Sequence, residues 1–98
     1  MMIVGACRLT LRLPGKGSLK EKRAVVRSVT ARLRSKFNVS VAEVDDNDRW
    51  QIATLGVTCV SNDALHARQM LEAGVAFVER TRLDAELGES TIEVEQAF

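Results

Sequence analysis

Ninety-eight residues make one domain, 1–98, and a chain of that length buries about 65% of its unfolded surface, enough for a single two-layer core. With 46% hydrophobic and 28% charged residues the composition excludes a disordered tail, and the absence of any run of ~18 apolar residues excludes a helical membrane span. The net charge of +1 conceals an asymmetry: residues 1–37 hold ten lysines and arginines against one acid, Glu21, and residues 38–98 hold four against twelve. Such a division points to a polyanionic partner for the basic part or to pairing of the two halves within the fold.

Residues 2–13 alternate, with Cys7, Leu9, Leu11 and Leu13 on one side and Arg8, Thr10 and Arg12 on the other. Period two with one apolar face is a half-buried strand. Pro14, Gly15, Lys16 and Gly17 end it. Ser18 followed by Glu21 is a capping box, so a helix starts there. Leu19, Val26, Val29, Leu33 and Phe37 form its apolar stripe, while Lys20, Arg23, Arg27 and Arg34 fall within an arc of roughly 60° elsewhere on the surface. Lys20, Lys22 and Arg23 crowd the first turn, where cations oppose the helix dipole; a helix built for stability alone would favour acids there. Asn38 stops the helix.

Residues 39–44 read as a second strand, Asp45, Asp46, Asn47 and Asp48 as a polar turn, and residues 49–60 as a third strand that closes a hairpin. Ser61, Asn62 and Asp63 start a second helix, which runs to Thr81 or Arg82 with Ala64, Leu71, Val75 and Val78 inward, Ala67 and Met70 beside them, and Gly74 marking close packing on the sheet. Leu87 and Gly88 read as a turn, and residues 91–96 as the last strand. The order β-α-β-β-α-β, with right-handed crossovers, gives an α+β ferredoxin-like fold: a four-stranded antiparallel sheet, order 4-1-3-2, with two helices on one face. That order sets Arg8 and Arg12 beside Glu93 and Glu95 as a cross-strand charge ladder on the open face.

Several motifs that carry chemistry are missing. The Pro14-to-Ser18 loop lacks the GxxxxGK[ST] spacing of a phosphate-binding loop, and Asp45, Asp46 and Asp48 lack the glycine and terminal glutamate of a calcium loop. Cys7 and Cys59 form no CxxC, have no histidine at metal spacing and point into the core. His66 has no nucleophile or carboxylate at catalytic spacing. The chain therefore reads as non-enzymatic, without metal or cofactor. Two free thiols and no secretion signal imply the reducing cytoplasm, since the Val4-Gly5-Ala6-Cys7 run lacks the flanks of a lipoprotein leader.

Leu19-Lys20-Glu21-Lys22-Arg23, then residues 36–44 (KFNVSVAEV), Trp50, residues 53–57 (ATLGV) and Val60-Ser61-Asn62-Asp63 resemble the YlxP-like family of short bacterial proteins without assigned function. The resemblance runs over nearly the whole chain. It implies a ferredoxin-like fold, a bacterial cytoplasm and a setting in translation or ribosome assembly, and it carries over no catalytic residue.

Two functions follow as expectations. The first is a module that contacts ribosomal or other structured RNA through Lys16, Lys20, Arg23, Arg27 and Arg34, the cations neutralising phosphates. With no aromatic on the first strand and only Trp50 at the start of the third, the sheet is not a base-stacking platform, so such contact is electrostatic. The second is a protein-interaction or homodimerisation module using the open sheet face, with Arg8, Arg12, Trp50 and Ile52 at the interface and Val4, Ala6 and Val44 adding apolar surface. Trp50 is either a cover for the hairpin end or an interface anchor.

Overall fold

The computed structural model describes residues 1–81 and 85–98. Along them run β1 (Ile3–Arg12), α1 (Leu19–Lys36), β2 (Ser40–Asp45), β3 (Ile52–Ser61), α2 (Ala64–Thr81) and β4 (Glu86–Gln96). The strands pair antiparallel in the order β2-β3-β1-β4, which is the expected 4-1-3-2 read from the other edge. The α+β ferredoxin-like arrangement is therefore the fold of this chain.

Alternation builds the core. Ile3, Cys7, Leu9 and Leu11 of β1, with Leu13 just beyond it, and Ala53, Leu55, Val57 and Cys59 of β3 are all buried on the helix-covered side. They pack with Val25 and Leu33 of α1 and with Ala67, Leu71 and Val78 of α2. Gly5 lets α2 sit low on the sheet: a Cβ there would stand 2.9 Å from Leu71 Cδ1 and 3.0 Å from Cys59 Sγ.

Five local expectations are corrected. In α1 Lys22 and Val25, outside the expected stripe, are buried with Leu33, while Val26, Val29 and Phe37 of that stripe pack half-buried against the core. In α2 the buried positions are Ala67, Leu71, Gly74 and Val78, while Ala64, the first residue of the helix, is exposed. Gly74 faces α1 and not the sheet; a Cβ there would meet Leu33 Cδ2 at 3.7 Å. Arg82, an alternative end for this helix, lies outside the described residues.

The fourth concerns β4, where Leu87 and Gly88 are strand and not turn. The strand starts at Glu86, five residues before the expected start at residue 91. Leu9 faces Ser90 and Leu11 faces Leu87, so β4 takes three steps where β1 takes two. The extra residue is a β-bulge. Gly88 belongs to it: a Cβ would stand 3.3 Å from the Thr10 carbonyl oxygen, a close approach that glycine permits. The pattern of β4 thus breaks at a bulge, which a sequence shows with the same residues as a turn. A second bulge lies in β2, where Glu43 faces Leu55 and Asp45 faces Thr54. Likewise β3 begins at Ile52, leaving Arg49 in the connecting turn.

Candidate functional site

Helix α1 carries seven cations, Lys20, Lys22, Arg23, Arg27, Arg32, Arg34 and Lys36, and its orientation decides which of them face solvent. Its start is fixed by Ser18, whose backbone is extended and whose hydroxyl oxygen accepts from the Glu21 amide at 3.1 Å. The reciprocal bond of a full capping box, from the Ser18 amide to the Glu21 carboxylate, is absent among the described residues. At 100° per residue the buried set points Lys20, Arg23 and Arg27 away from the sheet. All three are exposed, and none forms a hydrogen bond or ion pair among the described residues.

The other four are held within the fold. Arg34 donates through NH2 to the Val41 carbonyl at 2.8 Å, so it lies across the free edge of β2. Arg32 donates to the Thr81 carbonyl at 3.3 Å, at the C-terminal end of α2. Lys36 Nζ stands 5.3 Å from the Phe77 ring centroid, a cation–π distance, and that ring meets Phe37 edge-on. Lys16, in the loop before the helix, is half-buried; its amide donates to the Leu13 carbonyl at 3.3 Å, and it makes a further interaction of its own. Of the five expected RNA-contacting residues, then, Lys20, Arg23 and Arg27 share an open face, while Lys16 and Arg34 have partners.

Lys22 is the fourth of these internal cations and the one that sequence reasoning misplaced. Expected in an exposed basic turn, it is completely buried. Its Nζ lies 2.8 Å from Glu43 Oε2 and donates to the carbonyl of Asp46. The approach to Glu43 is close but poorly aligned for a hydrogen bond, leaving that oxygen held by charge alone. Glu43 is on the helix side of β2 with Val41. Asp46 adopts the left-handed conformation, with φ 58°, which folds the β2–β3 turn back toward the sheet. Its carboxylate accepts from the Thr54 hydroxyl at 2.7 Å and sits 3.5 Å from Arg49 NH1, and its amide donates to Asp45 Oδ1 at 2.8 Å. Lys22, Glu43, Asp46 and Thr54 thus form one polar knot that pins the hairpin to the first turns of α1. A signal existed in the sequence: Lys22 falls between Leu19 and Val25 or Val26 at helical spacing, inside the apolar stripe.

Beyond the knot, the turn presents Trp50, which is 50% exposed. It covers no core. With Asp48, Arg49 and Gln51 it lines an open concavity of about 370 Å³. The Gln51 carbonyl accepts from the Leu13 amide at 2.9 Å, so the turn is also tied to the end of β1.

On the open face Arg12 faces Ile52 on one side and Glu86 on the other, with Arg12 NH2 3.4 Å from Glu86 Oε2. Arg8 faces Gly56 and Thr91, Ala6 faces Thr58 and Glu93, and Val4 faces Val60 and Glu95. The expected ladder is therefore corrected: Glu93 and Glu95 lie opposite Ala6 and Val4, and the bulge at Gly88 moves Arg12 from Leu87 to Glu86. Val44, bulged out of β2, lies over Gly56, where a Cβ would be 2.9 Å from its Cγ1. Val44 and Val60 are 55% and 62% exposed, and Ile52 is half-buried.

Cys7 and Cys59 are buried free thiols, and burial pushes both above the ordinary thiol pKa, which favours the thiol over the nucleophilic thiolate. His66 is exposed. Among the described residues no three His, Cys, Asp or Glu side chains converge as for a metal, and no helix is long and apolar enough to cross a membrane.

A family model described as "Protein of unknown function (DUF503)" matches residues 4–92. The uncharacterized protein YlxP of Bacillus subtilis (strain 168) is 40% identical over 63 residues, covering 64% of this chain and 68% of that protein. The de novo designed protein Foldit4 is similar over 100% of both chains with a TM-score of 0.58 at 11% identity, a likeness of fold alone.

Proposed function

The chain belongs to the DUF503 family of proteins of unknown function, and we propose that it is a non-enzymatic binding module that contacts RNA phosphates through the outer face of α1. One observation carries this reading. Of the seven cations on α1, four are committed within the fold, and the three that are not, Lys20, Arg23 and Arg27, share one arc. Unpaired cations in a row cost solubility nothing but repel one another, and a polyanion relieves that repulsion while releasing its counterions. Along the helix axis the three stand about 4.5 Å and 6 Å apart, at 1.5 Å per residue.

Filter binding to ribosomal RNA and to a scrambled RNA, at two salt concentrations, tests it. Affinity should fall steeply with salt, by about 0.7 to 0.9 logarithmic units per contacted phosphate for each tenfold rise. Lys20→Glu with Arg27→Glu should abolish binding to both RNAs. No retention of the wild type at low salt, or equal retention of the double variant, overturns the proposal.

A second reading rests on the exposed Val44 and Val60. It is a homodimer through the open face, in which Arg8 and Arg12 of one copy meet Glu93 and Glu95 of the other. A concentration-dependent dimer in sedimentation, weakened by Arg8→Glu, would support it; a monomer at every concentration would remove it.

A further inference from the structure

Trp50 is a large aromatic side chain left half in water at the tip of a hairpin that a buried lysine fastens to the basic helix. The knot brings the turn to the same end of the molecule as the first turns of α1. Lys22 adjoins Arg23 in sequence and holds the Asp46 carbonyl; Trp50 follows Asp46 by four residues in the same turn, whose Arg49 amide donates to Asp46 O at 3.0 Å. The turn is thus docked against the inner side of the first turns of α1, whose outer side bears Lys20 and Arg23.

The surroundings of the ring favour a nucleobase over a protein side chain. A protein anchor sits among apolar neighbours that exclude water. The concavity at Trp50 is instead lined by Asp48, Arg49 and Gln51, all exposed and all hydrogen-bonding groups. A flat π-face bordered by a carboxylate acceptor, an amide and a guanidinium suits a base: the face stacks, and the polar groups meet the base edge. A base inside a duplex is already stacked on both sides and has no face to offer, whereas one in a single strand or loop has.

We propose that Trp50 stacks a base of a single-stranded RNA segment whose phosphates run along Lys20, Arg23 and Arg27. This rests on the RNA reading above and adds to it the strandedness of the ligand and the residue that senses it. The aromatic platform then lies at the hairpin and not on the sheet, where the strands lack aromatics.

Trp50 is the chain's one tryptophan, so its fluorescence reports on this site alone. A mixed-sequence RNA oligonucleotide and the blunt duplex of the same sequence are titrated at low salt, with filter binding in parallel, against the wild type, Trp50→Phe, Trp50→Ala and the Lys20→Glu, Arg27→Glu double variant. The single strand should quench the fluorescence with the midpoint seen on filters, and the duplex should bind more weakly without quenching. Trp50→Ala should weaken single-strand binding roughly 5- to 150-fold, the range of one lost base stack, and Trp50→Phe should retain most of it. Circular dichroism confirms that each variant is folded. Filter binding lost in the double variant but unchanged in Trp50→Ala, with no quenching in the wild type, would sink the stacking proposal and leave the basic helix standing. Equal quenching by duplex and single strand would also overturn it. No retention of any RNA by the wild type would overturn both proposals.

Discussion

Lys22 and Arg23 are adjacent in the chain and opposite in circumstance. Lys22 has no exposed surface, sits 2.8 Å from a carboxylate and holds a backbone carbonyl; Arg23 stands in solvent with no partner among the described residues. One residue step rotates a helix by about 100°, and that rotation separates a cation that organises the fold from one available for a partner. A basic cluster in a sequence is thus a mixture of roles, and only the acceptors contributed by other elements sort it.

Removing the inner cation should have the largest effect. Lys22→Ala should destabilise the protein by about 3–5 kcal/mol in urea denaturation, because Glu43 is left buried without its counter-charge. Replacing both partners, Lys22→Met with Glu43→Leu, should recover most of that loss. A Lys22→Ala midpoint equal to the wild type would show that the pair does not hold the hairpin. On the same inner face, Leu33→Ala should cost ~2–5 kcal/mol through lost burial and the cavity left at Gly74.

Arg34 is intermediate, a cation on the outer arc with a partner. Arg34→Ala should cost about 1 kcal/mol, the contribution of a charge-assisted bond near the surface, and should also open the edge of β2 to intermolecular pairing, seen as aggregation in light scattering. The smallest effect belongs to the outer face. Lys20→Glu with Arg27→Glu should change stability by less than ~0.5 kcal/mol per site while changing RNA retention outright. If this double variant instead proved as destabilised as Lys22→Ala, the outer cations would belong to the fold and not to a binding surface.

The periodicities that were local were legible. Alternation in β1, the Ser18 cap, the hairpin and the Asp63 helix start, where the aspartate accepts from Leu65 at 2.9 Å, depend on neighbouring residues and gave the fold. What escaped depends on distant ones. Lys22 goes inward because Glu43 and the Asp46 carbonyl wait for it on another element. The strand at Leu87 and Gly88 exists because β1 accepts a bulge. Val25 is buried more deeply than Val26, which packs at the edge of the core, because the helix seats Lys22, Val25 and Leu33 together. At the candidate site the three exposed cations were legible as an arc, whereas the bonds of Arg34 and the exposure of Trp50 were not, since both are set by how the hairpin docks.

Strand β1 lies between β3 and β4, and its first residue, Ile3, is matched with Gln96 near the far end of the chain. During synthesis the middle of the sheet is therefore made first and enclosed last. Until β4 has left the ribosome, one side of β1 presents unpaired amides and carbonyls beside Ile3, Cys7, Leu9 and Leu11, a template onto which another nascent chain can pair. Closing so long a loop is slow relative to forming the helices. The interval between the appearance of α2 and the arrival of β4 is the time in which this protein is most exposed to misassembly, and truncation before Glu86 would make that interval permanent.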